Sequence, residues 1–152
     1  MAAASDKDFF WKEHERVVKS VPYKDMNSLQ KAIVGMEVFV GFTQPSGIDD
    51  SVVNRGFSTL LDSENAFRRI GRDDVADHLK RAAKLIIDCA VRHGLTDKQI
   101  RNNDERAFRK FYGEGWDQEV QPELREIDEI LFAFRDDFVS LMGRYLRKHR
   151  GK

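Results

Sequence analysis

The chain has 152 residues, 41% of them hydrophobic and 34% charged, with only 3 prolines and 10 glycines. That is about one domain's worth, and the composition excludes disordered, collagen-like and low-complexity classes. The 26 basic and 26 acidic residues cancel, which removes the simplest case for a nucleic-acid binder and for a wholly acidic DNA mimic.

Ser5 followed by Asp8 resembles an acidic capping box and predicts a helix over Asp6–Ser20, closed by Val21-Pro22. Asn27 and Gln30 have true capping-box spacing, and Leu29, Ile33, Met36 and Val40 form one stripe of a helix from Ser28 to about Phe42. Its β-branched, aromatic end also fits a strand, but the stripe runs throughout and favours helix. Thr43–Gly47 reads as a loop by its turn residues. Ser51 to about Leu61 reads as a helix with Gly56 inside it, where glycine costs about 1 kcal/mol relative to alanine and so implies a close backbone approach. Ser63 is expected to cap a short turn carrying Ala66, Phe67 and Ile70, ended by Gly71.

The longest helix follows, capped by Asp73 or Asp74, with Val75, Leu79, Ala82, Ile86, Cys89 and His93 on its stripe and Gly94 as its C′ residue. Thr96 and Gln99 form another capping box, for a helix from Asp97 to about Tyr112. Gly113–Asp117 is a loop. Pro122 suits a first helical position, and an apolar face continues from Ile127 to near Lys148, on one helix or on two that break near Phe134–Asp136. The fold class is therefore all-α, one domain over residues 1–152 of about six to seven helices: an N-terminal helix and linker (1–26), then a helical core (27–148).

No constellation for catalysis, cofactor or metal stands out. Cys89 and His93 form the only soft i, i+4 pair, two ligands where a structural zinc site wants four, and the expectation is a buried thiol beside a histidine at a helix C-terminus. Asp74 and His78 share that spacing and read as an exposed pair. No G-x-S-x-G elbow occurs, Cys89 on a buried stripe is a poor nucleophile, and Gly113-Glu-Gly115 is half a dinucleotide fingerprint without a strand. The chain reads as non-enzymatic, with no metal and no cofactor. A lone cysteine forms no internal disulfide and points to a reducing compartment. No secretory signal is visible in MAAASDKDFF and no stretch nears the ~20 apolar residues of a bilayer span, so the expectation is a cytoplasmic protein.

Neutrality conceals segregation. Residues 114–137 hold 9 acidic and 2 basic groups, whereas residues 68–110 hold 7 acidic and 12 basic ones. Glu114, Asp117, Glu119, Glu123, Glu126, Asp128, Glu129, Asp136 and Asp137 form the acidic block, either a solvated face or a docking surface for another protein. The basic stretch has the outline of a helix-turn-helix at 73–112, with Lys98, Arg101, Arg106, Arg109 and Lys110 on its second helix. Asp97, Asp104 and Glu105 on that helix would oppose a phosphate backbone, and a plain helical hairpin has the same outline.

Val52-Val-Asn-Arg-Gly-Phe57, then Ile70-Gly71 before Asp73–Leu79, and Ile127–Leu131 with Asp136-Asp-Phe138 and Tyr145, together resemble a known family. It comprises small helical bacterial proteins related to the C-terminal domain of a DNA-mimic protein. Asn54, Gly56 and Phe57 match its Val-Asn-Asn-Gly-Gly-Phe-like motif, over a resemblance spanning residues 29–148. Val53 stands for its first asparagine, Arg55 for its first glycine, and Thr59 for the glutamine that follows. The resemblance implies surface carboxylates that mimic DNA and sequester a DNA-binding regulator. A close helix crossing at Gly56, with Phe57 plugging the core, is the structural alternative for the motif. The expectation is a protein-binding protein acting through the acidic C-terminal block, with DNA binding through 73–112 as the alternative.

Overall fold

The N-terminal helix starts where its cap places it. In the computed structural model, which describes residues 5–112, 116 and 119–149, Ser5 Oγ accepts the Asp8 amide at 3.1 Å. Helix α1 runs Asp6–Ser20, and Val21 leaves it in extended geometry. Helix α2 (Ser28–Val38) begins with both bonds of the Asn27–Gln30 box, at 2.8 and 2.9 Å.

Beyond Val38 the chain stays helical, as the stripe predicts, through a wide π turn at Phe39–Thr43 and a short α3 (Gln44–Ser46) that stops at Gly47. The loop expected at 43–47 is thus largely helical. Gln44 Nε2 donates to the Leu131 and Phe134 carbonyls at 3.2 and 3.0 Å, a tertiary anchor that local turn chemistry does not reveal.

The single helix expected over 51–61 is two, α4 (Ile48–Arg55) and α5 (Phe57–Arg69), parted by Gly56 at φ 97°. A Cβ on Gly56 would stand 2.7 Å from Asn103 Nδ2, so its neighbour is a side chain and not a backbone. The close backbone approach occurs at Gly35 of α2, which leaves no space for a Cβ against the main chain at Asp62–Ser63 of α5. Ser63 caps nothing; it is fully buried within α5, its Oγ 2.7 Å from the Gly35 carbonyl and 2.9 Å from that of Thr59. Phe57 is a core plug, 1% exposed.

Helix α6 (Asp73–Arg92) buries the expected stripe from Val75 to Cys89, ends on His93, and is followed by Gly94 at φ 92°. Its N-cap is Arg72, with Asp73 and Asp74 in the first turn. Asp74 pairs with Arg72 at 2.9 and 3.0 Å. The Thr96–Gln99 box forms, but the helix it opens is short. Helix α7 (Asp97–Arg101) stops before Asn103, which takes φ 53°, and Asp104 caps a separate α8 (Glu105–Phe111) by accepting the Ala107 amide at 3.1 Å. Helix α9 (Gln121–Ala133) carries Pro122 in its first turn, and α10 (Phe138–Lys148) follows the break read at Phe134–Asp136.

Among the described residues there is no strand, and eight helices of seven residues or more stand against the six to seven expected, the C-terminal stretch being two. The chain is all-α. Helix α5 lies at the centre, packed on α2, α4 and α6, while α10 packs on α1 where Gly143 admits the Asp6 carbonyl. Phe39, Phe67 and Phe138 meet edge-to-face at 4.6 to 5.8 Å and join the π turn, α5 and α10; such pairs contribute about 1 kcal/mol each beyond area burial. No helix is long and apolar enough to cross a membrane among the described residues.

Candidate functional site

Three regions carry polar groups in arrangements beyond simple solvation. The first is a cleft of about 430 Å³ where the Asn54-Arg55-Gly56-Phe57 turn faces Asn103, Glu105 and Arg109. Gly56 shapes it by its positive φ, which lets α4 and α5 meet at an angle and brings Asn103 against the turn. Asn103 Oδ1 accepts the Ser58 amide at 3.0 Å and its Nδ2 donates to Ser58 Oγ at 2.8 Å. Asn54 donates back to Asp50, to its carbonyl and its carboxylate, at 2.9 and 2.8 Å.

Arg55 is fixed by a two-pronged pair to Glu37, at 2.7 and 2.8 Å, and lies 5.4 Å over the Phe42 ring. His14 reaches the same carboxylate at 3.2 Å. Burial alone would raise Glu37, but the bonds from His14 and Arg55 outweigh it and hold the carboxyl at about 2. Tyr112, on the cleft wall, is pushed up to about 12, by burial first and the Asp49 charge second, and stays a neutral phenol. No Ser, Cys or His lines the cleft among the described residues, and its polar groups are those of Asn54, Arg55, Asn103, Glu105, Arg109 and Tyr112.

The second region is the acidic block. Glu114 and Asp117 lie outside the described residues. The other seven divide by what they touch. Asp128, half-buried, accepts the Ile48 amide at 2.9 Å and satisfies the start of α4, which has no cap of its own. Burial and the nearby Asp49 raise its carboxyl against that amide bond. Asp137 caps α10 through the Ser140 amide at 3.1 Å, and Asp136 meets Arg72 at 3.2 Å. Glu119 turns to α6. There remain Glu123, Glu126 and Glu129 on the outer side of α9, the first two only 4.0 and 3.9 Å from Arg81. Beside them, Ile130 and Phe132 are exposed at 37% and 54%.

The basic residues of 97–112 are divided between two short helices, Lys98 and Arg101 on α7 and the rest on α8. Arg101 on α7 is bound to Asp97 at 2.8 Å, while Arg106, Arg109 and Lys110 sit exposed on α8. The long recognition helix expected there is absent, because Asn103 in the left-handed region breaks it.

The third region was read in the sequence only as a pair of residues. Cys89 and His93, one turn apart at the end of α6, are joined by Glu119, and one donor atom from each lies within 4.8 Å of the others. Cys89 Sγ is 3.6 Å from Glu119 Oε2, His93 Nε2 is hydrogen-bonded to that same oxygen, and Arg92 stands 3.5 Å from Oε1. Burial and the Glu119 charge raise the Cys89 thiol, while the His93 bond lowers Glu119. The pair at i, i+4 was visible; its third member, 26 residues beyond His93, depends on how the chain returns to α6.

A family model described as DMP19-like protein matches residues 24–149. No curated protein and no solved structure matches the chain.

Proposed function

Since the chain belongs to the DMP19-like protein family, we propose that it is a non-enzymatic protein that captures another protein, with the outer side of α9 as the docking surface. One observation carries this reading: Glu123, Glu126 and Glu129 stand three residues apart on the exposed side of one helix, bordered by exposed Ile130 and Phe132. Three-residue steps set them about 4.5 Å apart along the axis, a row of negative charge with an apolar end. Such a row suits a partner that presents a basic face around an apolar recess. A DNA-binding regulator has that chemistry, in keeping with the DNA-mimic relation that the resemblance implies. Charge of one sign steers encounter, and the apolar pair supplies contact that charge alone does not.

The alternative of duplex binding through 73–112 has less support. Its second helix is two short pieces, and the α8 cations share their surface with Glu105. The deciding experiment is affinity capture from the source cell with the wild-type chain and with Glu123→Lys, Glu126→Lys and Glu129→Lys combined. A protein held by the wild type, released by salt and lost in the variant is the expected outcome. Equal capture by both removes α9 from the interface. Salt-sensitive binding of a random duplex by the wild type favours the nucleic-acid alternative.

A further inference from the structure

We propose that Cys89, His93 and Glu119 form a binding site for one divalent, borderline-soft metal ion of the zinc class, with three protein ligands and a fourth position open to water.

The donor set sets the class of metal. A thiolate, an imidazole and a carboxylate suit Zn²⁺ and Co²⁺, whereas Mg²⁺ and Ca²⁺ take all-oxygen ligands. The geometry agrees with that choice. Bonds of about 2.3 Å to sulfur and about 2.1 Å to oxygen, at a tetrahedral angle, place those two atoms about 3.6 Å apart. The Cys89 Sγ to Glu119 Oε2 distance is 3.6 Å. A ring nitrogen of His93 completes a face whose donors all lie within 4.8 Å, leaving the nitrogen–oxygen edge to open as the ion replaces their hydrogen bond.

The surroundings act on a cation in two ways: the helix end favours it and the Arg92 guanidinium opposes it. Cys89 and His93 belong to the last turn and C-cap of the 20-residue α6, where carbonyl groups leave partial negative charge. Arg92 takes the other oxygen, Oε1, at 3.5 Å, so Glu119 presents Oε2 alone to the thiol and imidazole, a one-oxygen ligand. The His93 ring lies 5.8 Å from that of Phe111, which limits its movement. The thiol is fully buried, but the side chains of His93 and Glu119 are 23% and 40% exposed, which gives the ion a way in and a place for its water. Binding converts the Cys89 thiol to a thiolate and releases its proton to solvent, and any proton on His93 leaves as well, so affinity falls as pH falls. The ion would fasten the residue leading into α9 to the end of α6. The inference stands apart from the docking surface proposed above, because Glu123, Glu126 and Glu129 take no part in it.

Cobalt is the direct probe. Chelator-treated full chain is titrated with Co²⁺ while its absorption is followed. The expected result is a near-ultraviolet thiolate-to-cobalt band with visible bands of four-coordinate cobalt, saturating at one equivalent and bleached by Zn²⁺. Cys89→Ser loses the near-ultraviolet band. Glu119→Gln, at a partly exposed position that leaves the fold intact, weakens Zn²⁺ by roughly tenfold or more. In thermal unfolding at one fixed Zn²⁺ concentration, the Tm of the wild type rises by more than that of Glu119→Gln. Absence of the thiolate band in the wild type, or zinc affinity unchanged by Glu119→Gln, overturns the proposal and leaves a hydrogen-bonded His93–Glu119 pair over a buried thiol.

Discussion

The inward carboxylates of α2 and α5 and those on the outer side of α9 are used in opposite ways. Glu37 of α2 and Asp62 of α5 are held by named partners: Arg55 of α4 and His14 of α1 for the first, Tyr23 at 2.5 Å for the second. On α9, Glu123 and Glu126 have only Arg81 at about 4 Å among the described residues, and both are more than half exposed. A carboxylate's contribution is thus set by what surrounds it and not by its place in a charge run. Side chains committed to internal bonds fix the fold, and those left in water are available to a partner.

The buried side of this comparison gives the largest expected effects. Gly35→Ala inserts a methyl into the main chain of Asp62–Ser63, where neither backbone gives way. The loss expected is about 3 kcal/mol or more in urea unfolding, with α2 pushed off α5. Glu37→Gln removes the charge that Arg55 and His14 share and is expected to cost about 2–3 kcal/mol at neutral pH. Because the folded carboxyl is held below its unfolded value, its contribution is full above about pH 4.5. It is lost as pH falls toward 2. Wild type and variant should therefore converge in acid, as measured by denaturant midpoints across pH.

Those predictions rest on contacts that local sequence does not contain, and the same divide runs through the whole chain. The Asn27–Gln30 and Thr96–Gln99 boxes, the α6 stripe and the break near Phe134 were legible because cap, period and stop lie within a few residues of one another. The breaks at Gly56 and Asn103 were not. Each depends on the other, 47 residues away, through the Asn103 side chain packed on the Gly56 turn. Ser63 looked like a cap because serine favours caps, but the Gly35 carbonyl gave it a buried partner. Asp128 counted as surface charge until its bond to the Ile48 amide, 80 residues back, made it part of α4. Glu119 belonged to an acidic run by sequence and to Cys89 and His93 by folding. Single side chains were legible where their partners are local, and sites were not, since a site is assembled by the turns between helices.

Asp62 sharpens the comparison from within the buried side. It is 8% exposed, and burial raises its carboxyl to about 6 against the opposing effects of Tyr23 and Lys31. The sign is the reverse of that for Glu37. A folded value above the unfolded one means that the folded chain binds the extra proton between about pH 4 and 6, so stability declines as pH rises through that window. Asp62→Asn keeps an acceptor for the Tyr23 hydroxyl and removes the buried charge. It is expected to stabilise the protein by about 2 kcal/mol at pH 7.5 and by nothing at pH 4. A variant that is destabilised at both pH values would mean that the carboxylate is needed for reasons other than its charge.

On α9 the expected effect on stability is the smallest, and that is its value. Reversing Glu123, Glu126 and Glu129 to lysine removes two contacts at the edge of salt-bridge distance and leaves Arg81 facing new positive charge, all in water. Exposed pairs of this kind contribute about 0.2–1 kcal/mol, and the added repulsion is screened within about 8 Å at physiological ionic strength. The urea midpoint of the triple variant should lie close to that of the wild type in 150 mM salt, well inside the loss expected for Glu37→Gln alone. A loss as large as that one would show that these three carboxylates hold α9 in place. They would then be unavailable to a partner, and a failure of the variant to capture anything would reflect unfolding instead of a lost interface. With a near-silent triple variant, a loss of capture reports on the proposed interface and not on the fold.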